Sequence, residues 1–177
     1  MLKTMIEIKT QRLTLKPLGP EYLLSTHKYS SDVDNCRLMV YLPNESLEET
    51  AQFLADVEAE WAKDKPSFYE FAILLNGEHI GAISLYIENE GRSLELGWII
   101  DKKYWGNGYT TEAGKALIDY GVNTLGFRHF IAHCDSENVA SYRVMEKLGM
   151  TRTDSYGGRK NRASDEDRIE FLYEITI

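Results

Sequence analysis

Cysteine is scarce in this sequence: the two that occur, Cys36 and Cys134, stand far apart, with no CxxC pair and no histidine-rich spacing of the kind that holds a metal. No metal is therefore expected, and reduced thiols suit the cytosol. Cys134 closes an apolar stretch, so it reads as a buried structural thiol rather than a nucleophile. Proline is sparse too, at four residues, and with the 13 glycines it falls mostly at element ends. There is no internal repeat and no low-complexity tract. The apolar runs fall far short of a membrane span, and the opening Met-Leu-Lys-Thr-Met-Ile-Glu lacks the apolar core of a signal peptide. A soluble, cytoplasmic protein with no membrane partner is the expectation.

Positive charge is in deficit. Twenty lysines and arginines face 28 aspartates and glutamates, leaving a net charge of -8. Proteins that grip a nucleic-acid backbone rely on basic surface to displace counterions, so direct nucleic-acid binding is set aside. The acidic balance mildly favours cationic substrates. What is present is 177 residues at 43% hydrophobic content with no compositional break, which predicts one domain over residues 1–177 with a substantial core.

The periodicities alternate between strand and helix. Ile6 to Pro17 reads as an extended first strand, and Pro20 starts a helix after it. Ser46-Leu-Glu-Glu49 is a capping box, with Leu47, Ala51, Leu54, Val57 and Trp61 at helical spacing behind it. Phe68 to Leu75 and His79 to Ile87 flank Asn76-Gly77, a tight-turn hairpin signal. The fourth strand, Leu94 to Ile100, contains Gly97, which marks a bulge or a close approach. A helix from Thr111 to about Thr124, a fifth strand Phe127 to Cys134, and a helix from Asn138 to Leu148 follow. Two last strands, Met150 to Ser155 and Ile169 to Thr176, flank a polar and mobile loop with Gly157, Gly158, Arg159, Lys160, Asn161 and Arg162. The fold class is mixed α/β (α+β) with a largely antiparallel sheet.

The most informative stretch is residues 93–113, where an apolar strand runs into a glycine-bearing loop that opens onto a helix. Gly106 and Gly108 let the backbone turn tightly and aim successive amides at an anion, and the helix adds its free amides and dipole. A Walker loop would need Gly-Lys-Ser or Gly-Lys-Thr, and a dinucleotide loop a third glycine where Thr111 stands.

The segment resembles the acyl-CoA-binding motif of the GNAT superfamily of N-acetyltransferases, Arg/Gln-x-x-Gly-x-Gly/Ala. It reads here Trp105, Gly106, Asn107, Gly108, Tyr109, Thr110, so Trp105 and Thr110 depart from the general form. The pattern of the branch that acetylates ribosomal-protein N-termini is met by Glu95, Gly97, Trp105, Gly106, Gly108, Tyr109, Thr111, Glu112 and Ala113. A second block, Asn138-Val-Ala-Ser141 through Leu148-Gly149-Met150, is similar to the same branch's helix, and Thr10-Gln-Arg-Leu-Thr-Leu-Lys-Pro17 to its opening strand.

The resemblance implies a central sheet splayed between its fourth and fifth strands and flanked by helices. It implies acetyl-CoA as cosubstrate, with the pantetheine arm paired to the backbone of Trp98, Ile99 and Ile100 on a bulged fourth strand. The pyrophosphate would rest on the amides of Trp105, Gly106, Asn107, Gly108, Tyr109, Thr110 and Thr111. Asn138 would bind the pantetheine arm, or serve as an N-cap. Lys102, Lys103, Arg143 and Lys147 are nearby candidate donors, or plain surface charges.

The chemistry is attack of an amine on a thioester, which needs a neutral amine, a stabilised oxyanion and a proton for the thiolate. Glu95, or a water it holds, is the candidate base, against a solvated or structural role. Many family members place a Tyr four residues after Ser141, where this chain has Met145, so Ser141 or a water would serve the thiolate; alternatively Ser141 supports the helix turn. His79, His129 and His133 read as core histidines in apolar strands, and His27 as a surface or pocket-rim residue.

The implied acceptor is a primary amine, a protein N-terminus ahead of a polyamine, amino acid or aminoglycoside, and a second copy of the chain is a further expected partner. A non-catalytic acyl-CoA-binding regulatory module and, more weakly, a phosphate-binding nucleotide enzyme are the rival readings.

Overall fold

The computed structural model describes residues 6–177; residues 1–5, part of the stretch read above for a leader, lie outside them. In chain order the elements are β1 (Ile8–Lys9), β2 (Leu13–Pro17), α1 (Leu23–Ser30), α2 (Val33–Cys36), α3 (Leu47–Trp61), β3 (Phe68–Leu75), β4 (Glu78–Glu88), β5 (Ser93–Ile100), α4 (Tyr109–Asn123), β6 (His129–Asp135), α5 (Val139–Lys147), β7 (Thr151–Lys160) and β8 (Asp167–Thr176). The eight strands form one sheet in the order β1-β2-β3-β4-β5-β6-β8-β7, and every neighbouring pair is antiparallel except β5 and β6.

Alternation along the strands divides the core into two layers. Leu13, Leu15, Phe71, Ile73, Ile83, Leu85, Leu94, Leu96, Phe130 and Ala132 point to one face, where α4 supplies Ala113 and Leu117 and α5 supplies Met145. The opposite face carries Ala72, Leu74 and Ala82, covered by Leu54 and Val57 of α3. At about 25 cal/mol per Å² of apolar surface, each Leu, Ile, Val, Phe or Met among them contributes roughly 1.5–3 kcal/mol on burial, and each alanine less.

Local signals explain most boundaries. Asn76 and Gly77 both take positive φ, 50° and 82°, as a two-residue turn between β3 and β4 requires. Ser46 Oγ accepts the Glu49 amide, but Glu49 reaches back to the amide of Glu45, one residue before the cap, so the expected box closes only on one side. The expected single first strand is instead a small hairpin, with Ile8 opposite Leu15, because the chain reverses at Thr10, whose hydroxyl accepts the Leu13 amide.

Two further expectations are corrected. β5 pairs with β4 in unbroken register from Ser93 to Ile100, so Gly97 is no bulge; it allows a close approach, since a Cβ there would stand 2.9 Å from Ser84 Oγ. The segment 156–166 is not a loose loop. β7 continues to Lys160 across an irregularity between Tyr156 and Arg159, and Asn161 is buried, donating to the fully buried Asp135. Arg159 binds Glu170, the Asn161 side chain and the Leu38 carbonyl, while Arg162 pairs with Glu49. Burial opposes the charge on Asp135, but the Arg168 guanidinium and the Glu137 amide overcome it and hold the carboxyl down at about 2.

Candidate active site

The parallel contact of β5 with β6 is two residues long: Leu94 lies beside Phe130 and Glu95 beside Ile131. Beyond it the strands part, β5 following β4 to Ile100 and β6 following β8 to Asp135. A slot opens between them. The Asp101 amide donates to the Ile80 carbonyl, and the Ile99 carbonyl also faces β4, only 2.3 Å from where a Gly81 Cβ would sit. By alternation the backbone groups of Leu96, Trp98 and Ile100 turn toward the slot. Of the three residues expected to line it, Trp98 and Ile100 do so and Ile99 does not. The Ile100 carbonyl there accepts the Trp105 indole N–H at 2.9 Å.

The glycine loop sits at the open end of this slot. Gly106 and Gly108 both have φ of +78°, and Gly108 caps α4 in the left-handed conformation with no side chain bonded to the helix start. Tyr109, Thr110 and Thr111 form the first turn, whose amides have no intrahelical acceptor; the first helical bond runs from the Glu112 amide to the Gly108 carbonyl. A Cβ at Gly106 would meet nothing within 4 Å, so the loop is open on that side. Asn107 spends its side chain on the carbonyls of Tyr104 and Trp105, which fixes the loop's shape. This arrangement fits a phosphate ester and a linear arm that runs from it along the slot.

A clamp that the sequence did not reveal holds the loop from the first hairpin. Glu112 accepts the Thr10 hydroxyl (2.6 Å), the Arg12 amide (2.7 Å) and Arg12 Nε (2.6 Å). The same guanidinium donates to the Asn107 carbonyl and lies over the Tyr109 ring. Burial raises the Glu112 pKa, yet these donors together bring it below the usual carboxylate range. Of the candidate cationic donors, Lys102 is paired to Asp32, Lys103 lies over the Tyr104 ring, and Arg143 and Lys147 are exposed on α5.

The chemical end of the slot lies where pairing stops. Glu95 alternates with the buried Leu94 and Leu96 and so faces away from α4, with 30% of its side chain accessible. Its Oε1 lies 2.6 Å from Nδ1 of His133 on β6, so a carboxylate that can only accept requires the proton on Nδ1. Hydrogen bonding to Glu95 holds the His133 pKa above the usual imidazole value. Tyr86, opposite Glu95 on β4, donates to Glu70 at 2.7 Å; burial pushes Glu70 up to about 7.

The other histidines are structural. His79 bonds Ser25 and the Gly81 carbonyl and is driven by burial down to about 4; His129 bonds Ser93. His27 ties α1 to Thr50 of α3. His133 reads from its apolar strand as a core histidine, whereas parity puts it with Glu95 and opposite Phe130, Ala132 and Cys134, and its side chain is 23% accessible.

On α5, Asn138 is the N-cap, its Oδ1 accepting the Ser141 amide at 3.2 Å, and its amide N–H groups have no hydrogen-bond partner among the described residues. Ser141 is half-buried on the first turn, and Met145 is 1% exposed in the main core. Cys134 is buried, and burial pushes its thiol up to about 11, as befits a structural residue.

Comparison with known proteins follows the same lines. The acetyltransferase (GNAT) domain family matches residues 12–151. The uncharacterized N-acetyltransferase YnaD of Bacillus subtilis strain 168 is 32% identical over 150 residues, covering 83% of this chain and 84% of its own. The spermidine N(1)-acetyltransferase of Escherichia coli K12 is 29% identical over 138 residues, 77% of this chain and 72% of that one. A ribosomal L7/L12 α-N-protein acetyltransferase solved with coenzyme A superposes at a TM-score of 0.85 over 97% of this chain and 98% of its own, at 18% identity, a likeness of fold alone.

Proposed function

This chain belongs to the GNAT acetyltransferase family, and from that premise we propose that it moves an acetyl group from acetyl-CoA to a primary amine, first among them a protein N-terminal α-amine, by direct attack in a ternary complex. One observation carries the reading: the slot between β5 and β6 opens beside a loop at the start of α4 whose amides, from Gly106 to Thr111, have no acceptor among the described residues. The amides from Gly106 to Thr111 hold the pyrophosphate, without the Trp105 amide expected among them, since that one donates to the Lys102 carbonyl, and the backbone of Trp98 and Ile100 pairs with the pantetheine arm. Trp105 forms the wall between loop and slot. The free amide of Asn138 is available to the same arm, while its oxygen caps α5.

The amine enters from the face that carries Glu95. Glu95 manages the proton the amine must lose, and Ser141 donates a hydrogen bond to the departing sulfur. The usual tyrosine acid has no counterpart, since Met145 is buried. A thiol pKa near 8.5 makes the thiolate a modest leaving group, for which a hydroxyl can suffice. An α-amine of pKa about 7.7–8.0 is roughly a tenth neutral at pH 7, whereas a lysine amine near 10.4 needs on the order of 4–5 kcal/mol of deprotonation. That difference supports a terminal amine, which needs only a weak base. The cytoplasmic setting belongs to the same reading and is supported by two buried, unpaired thiols.

A small polyamine is the second reading, favoured by the 29% identity to the spermidine enzyme. Initial rates for Ala-, Ser- and Met-starting peptides against spermidine, lysine and an aminoglycoside, with the acetylated nitrogen mapped by mass spectrometry, decide between them. Peptides are expected to turn over fastest. Faster turnover of any small amine than of every peptide would replace the acceptor, and CoA binding without turnover on any amine would leave a regulatory acyl-CoA-binding module.

A further inference from the structure

Resting on that reading, we infer that His133 is the group that accepts the amine's proton, and that Glu95 acts through it as a positioning residue. Three observations meet here. The two side chains touch at 2.6 Å across the point where β5 and β6 separate, so the ring stands at the inner end of the slot and not in the core. Glu95 commits the proton to Nδ1, and Nε2 has no hydrogen-bond partner among the described residues, which leaves its lone pair as the basic site. The His133 side chain is 23% accessible, enough for an incoming group to reach it.

The choice of imidazole over carboxylate follows from matching acid to base. A glutamate carboxylate ordinarily titrates near 4.3 and an imidazole near 6.5, against about 7.7–8.0 for an α-amine, so proton transfer to a histidine is better matched by roughly a hundredfold. The charged groups facing the ring are Glu95 from β5, Glu170 from β8 and Arg159 from β7; the arginine is itself neutralised by Glu170 at 2.7 Å. Their balance raises the pKa of the ring toward that of the amine.

The step balances as follows. The ammonium form of the acceptor gives one proton to Nε2 and gains a nucleophilic lone pair. Its nitrogen forms the N–C bond to the thioester carbonyl carbon, and the C–S bond breaks. The second nitrogen proton passes to the thiolate, with the Ser141 hydroxyl in reach, giving the amide and the free thiol. The imidazolium then returns its proton to solvent.

The test uses the full chain and whichever amine turns over fastest. His133→Gln should lower kcat/KM about a hundredfold while acetyl-CoA affinity, measured by calorimetry, stays at the wild-type value, which also certifies the fold. The limb of the kcat/KM pH profile that reports the imidazole should vanish in that variant. In Glu95→Gln the same limb should move to lower pH, since the carboxylate that raises the ring's pKa is gone. Added imidazole should restore part of the rate in His133→Ala, an effect a packing role would not produce. His133→Gln and His133→Asn with wild-type rates and an unchanged pH limb would overturn the inference and leave acetyl transfer standing. A wild-type protein that binds acetyl-CoA and turns over no amine would instead overturn the enzymatic reading, and this inference with it.

Discussion

Replacing Gly108 with valine isolates the loop at the head of α4. Gly108 has φ of 78° and ψ of 9°, a conformation that costs an L-residue roughly 1–2 kcal/mol and a β-branched one more. A Cβ there would lie 3.5 Å from Arg12 Nη2, an ordinary contact, so the penalty is conformational rather than steric. The free loop relieves it by rotating the amides of residues 107–110 away from their common focus, and binding must then restore the strain. That alone weakens coenzyme A by about 5- to 30-fold, and each charge-assisted hydrogen bond that is not recovered adds about 1.5–3 kcal/mol. Calorimetry with coenzyme A and with acetyl-pantetheine, which lacks the pyrophosphate, separates the parts: only coenzyme A should weaken. Gly106→Ala, at the same φ and with nothing near its added carbon, should show the strain by itself. A cooperatively folded Gly108→Val protein that binds coenzyme A as tightly as the wild type would refute the reasoning, as would equal losses for both ligands.

Ser141→Ala should lower kcat about tenfold while acetyl-CoA affinity changes little, because the hydroxyl is needed as negative charge builds on sulfur; full turnover would reduce Ser141 to a helix-turn residue. Glu70 should govern stability at neutral pH. Its folded pKa is raised to about 7 from 4.5 by burial, so its contribution is complete below the unfolded value and fades as pH rises toward 7. Glu70→Gln keeps a carbonyl acceptor for Tyr86 and should raise Tm at pH 8 by the equivalent of up to about 3 kcal/mol, with little change at pH 4; melting curves that shift equally at both pH values would contradict this.

How far the chain could be read in advance depends on the range over which each signal acts. The Asn76-Gly77 turn, the Ser46 cap and the loop of Gly106 and Gly108 are settled by a few adjacent residues, and all are legible in sequence. The clamp of Thr10 and Arg12 on Glu112, about a hundred residues apart, arises only when the first hairpin is laid beside α4. Glu95 was singled out by parity on its own strand; its partner His133 lies on another strand and looked like core. The segment 156–166 misled for the same reason: glycine and charge predict mobility, while Arg159 and Asn161 find Leu38, Glu170 and Asp135 only in the folded chain.

The two-residue seam between β5 and β6 interrupts the hydrogen-bond ladder but not the apolar layer beneath it, since Leu94, Leu96, Phe130 and Ala132 share one cluster. Helix α4 is pressed against both sides of that seam: a Cβ at Gly121 would fall 2.7 Å from Phe130 and 3.0 Å from Leu94, and one at Gly114 would fall 2.9 Å from Leu148 at the end of α5. The two strands are therefore spaced from below as well, by how closely a helix can sit on them, and not only by the short ladder and the Ser93–His129 and Glu95–His133 hydrogen bonds that join them. A single methyl group added to the underside of the sheet, with no exposure to ligand, would act as a wedge. The dimensions of the gap above thus depend on the packing beneath it, and that packing can be adjusted at Gly114 and Gly121, which lie against Leu148, Phe130 and Leu94 on the face away from Glu95 and His133.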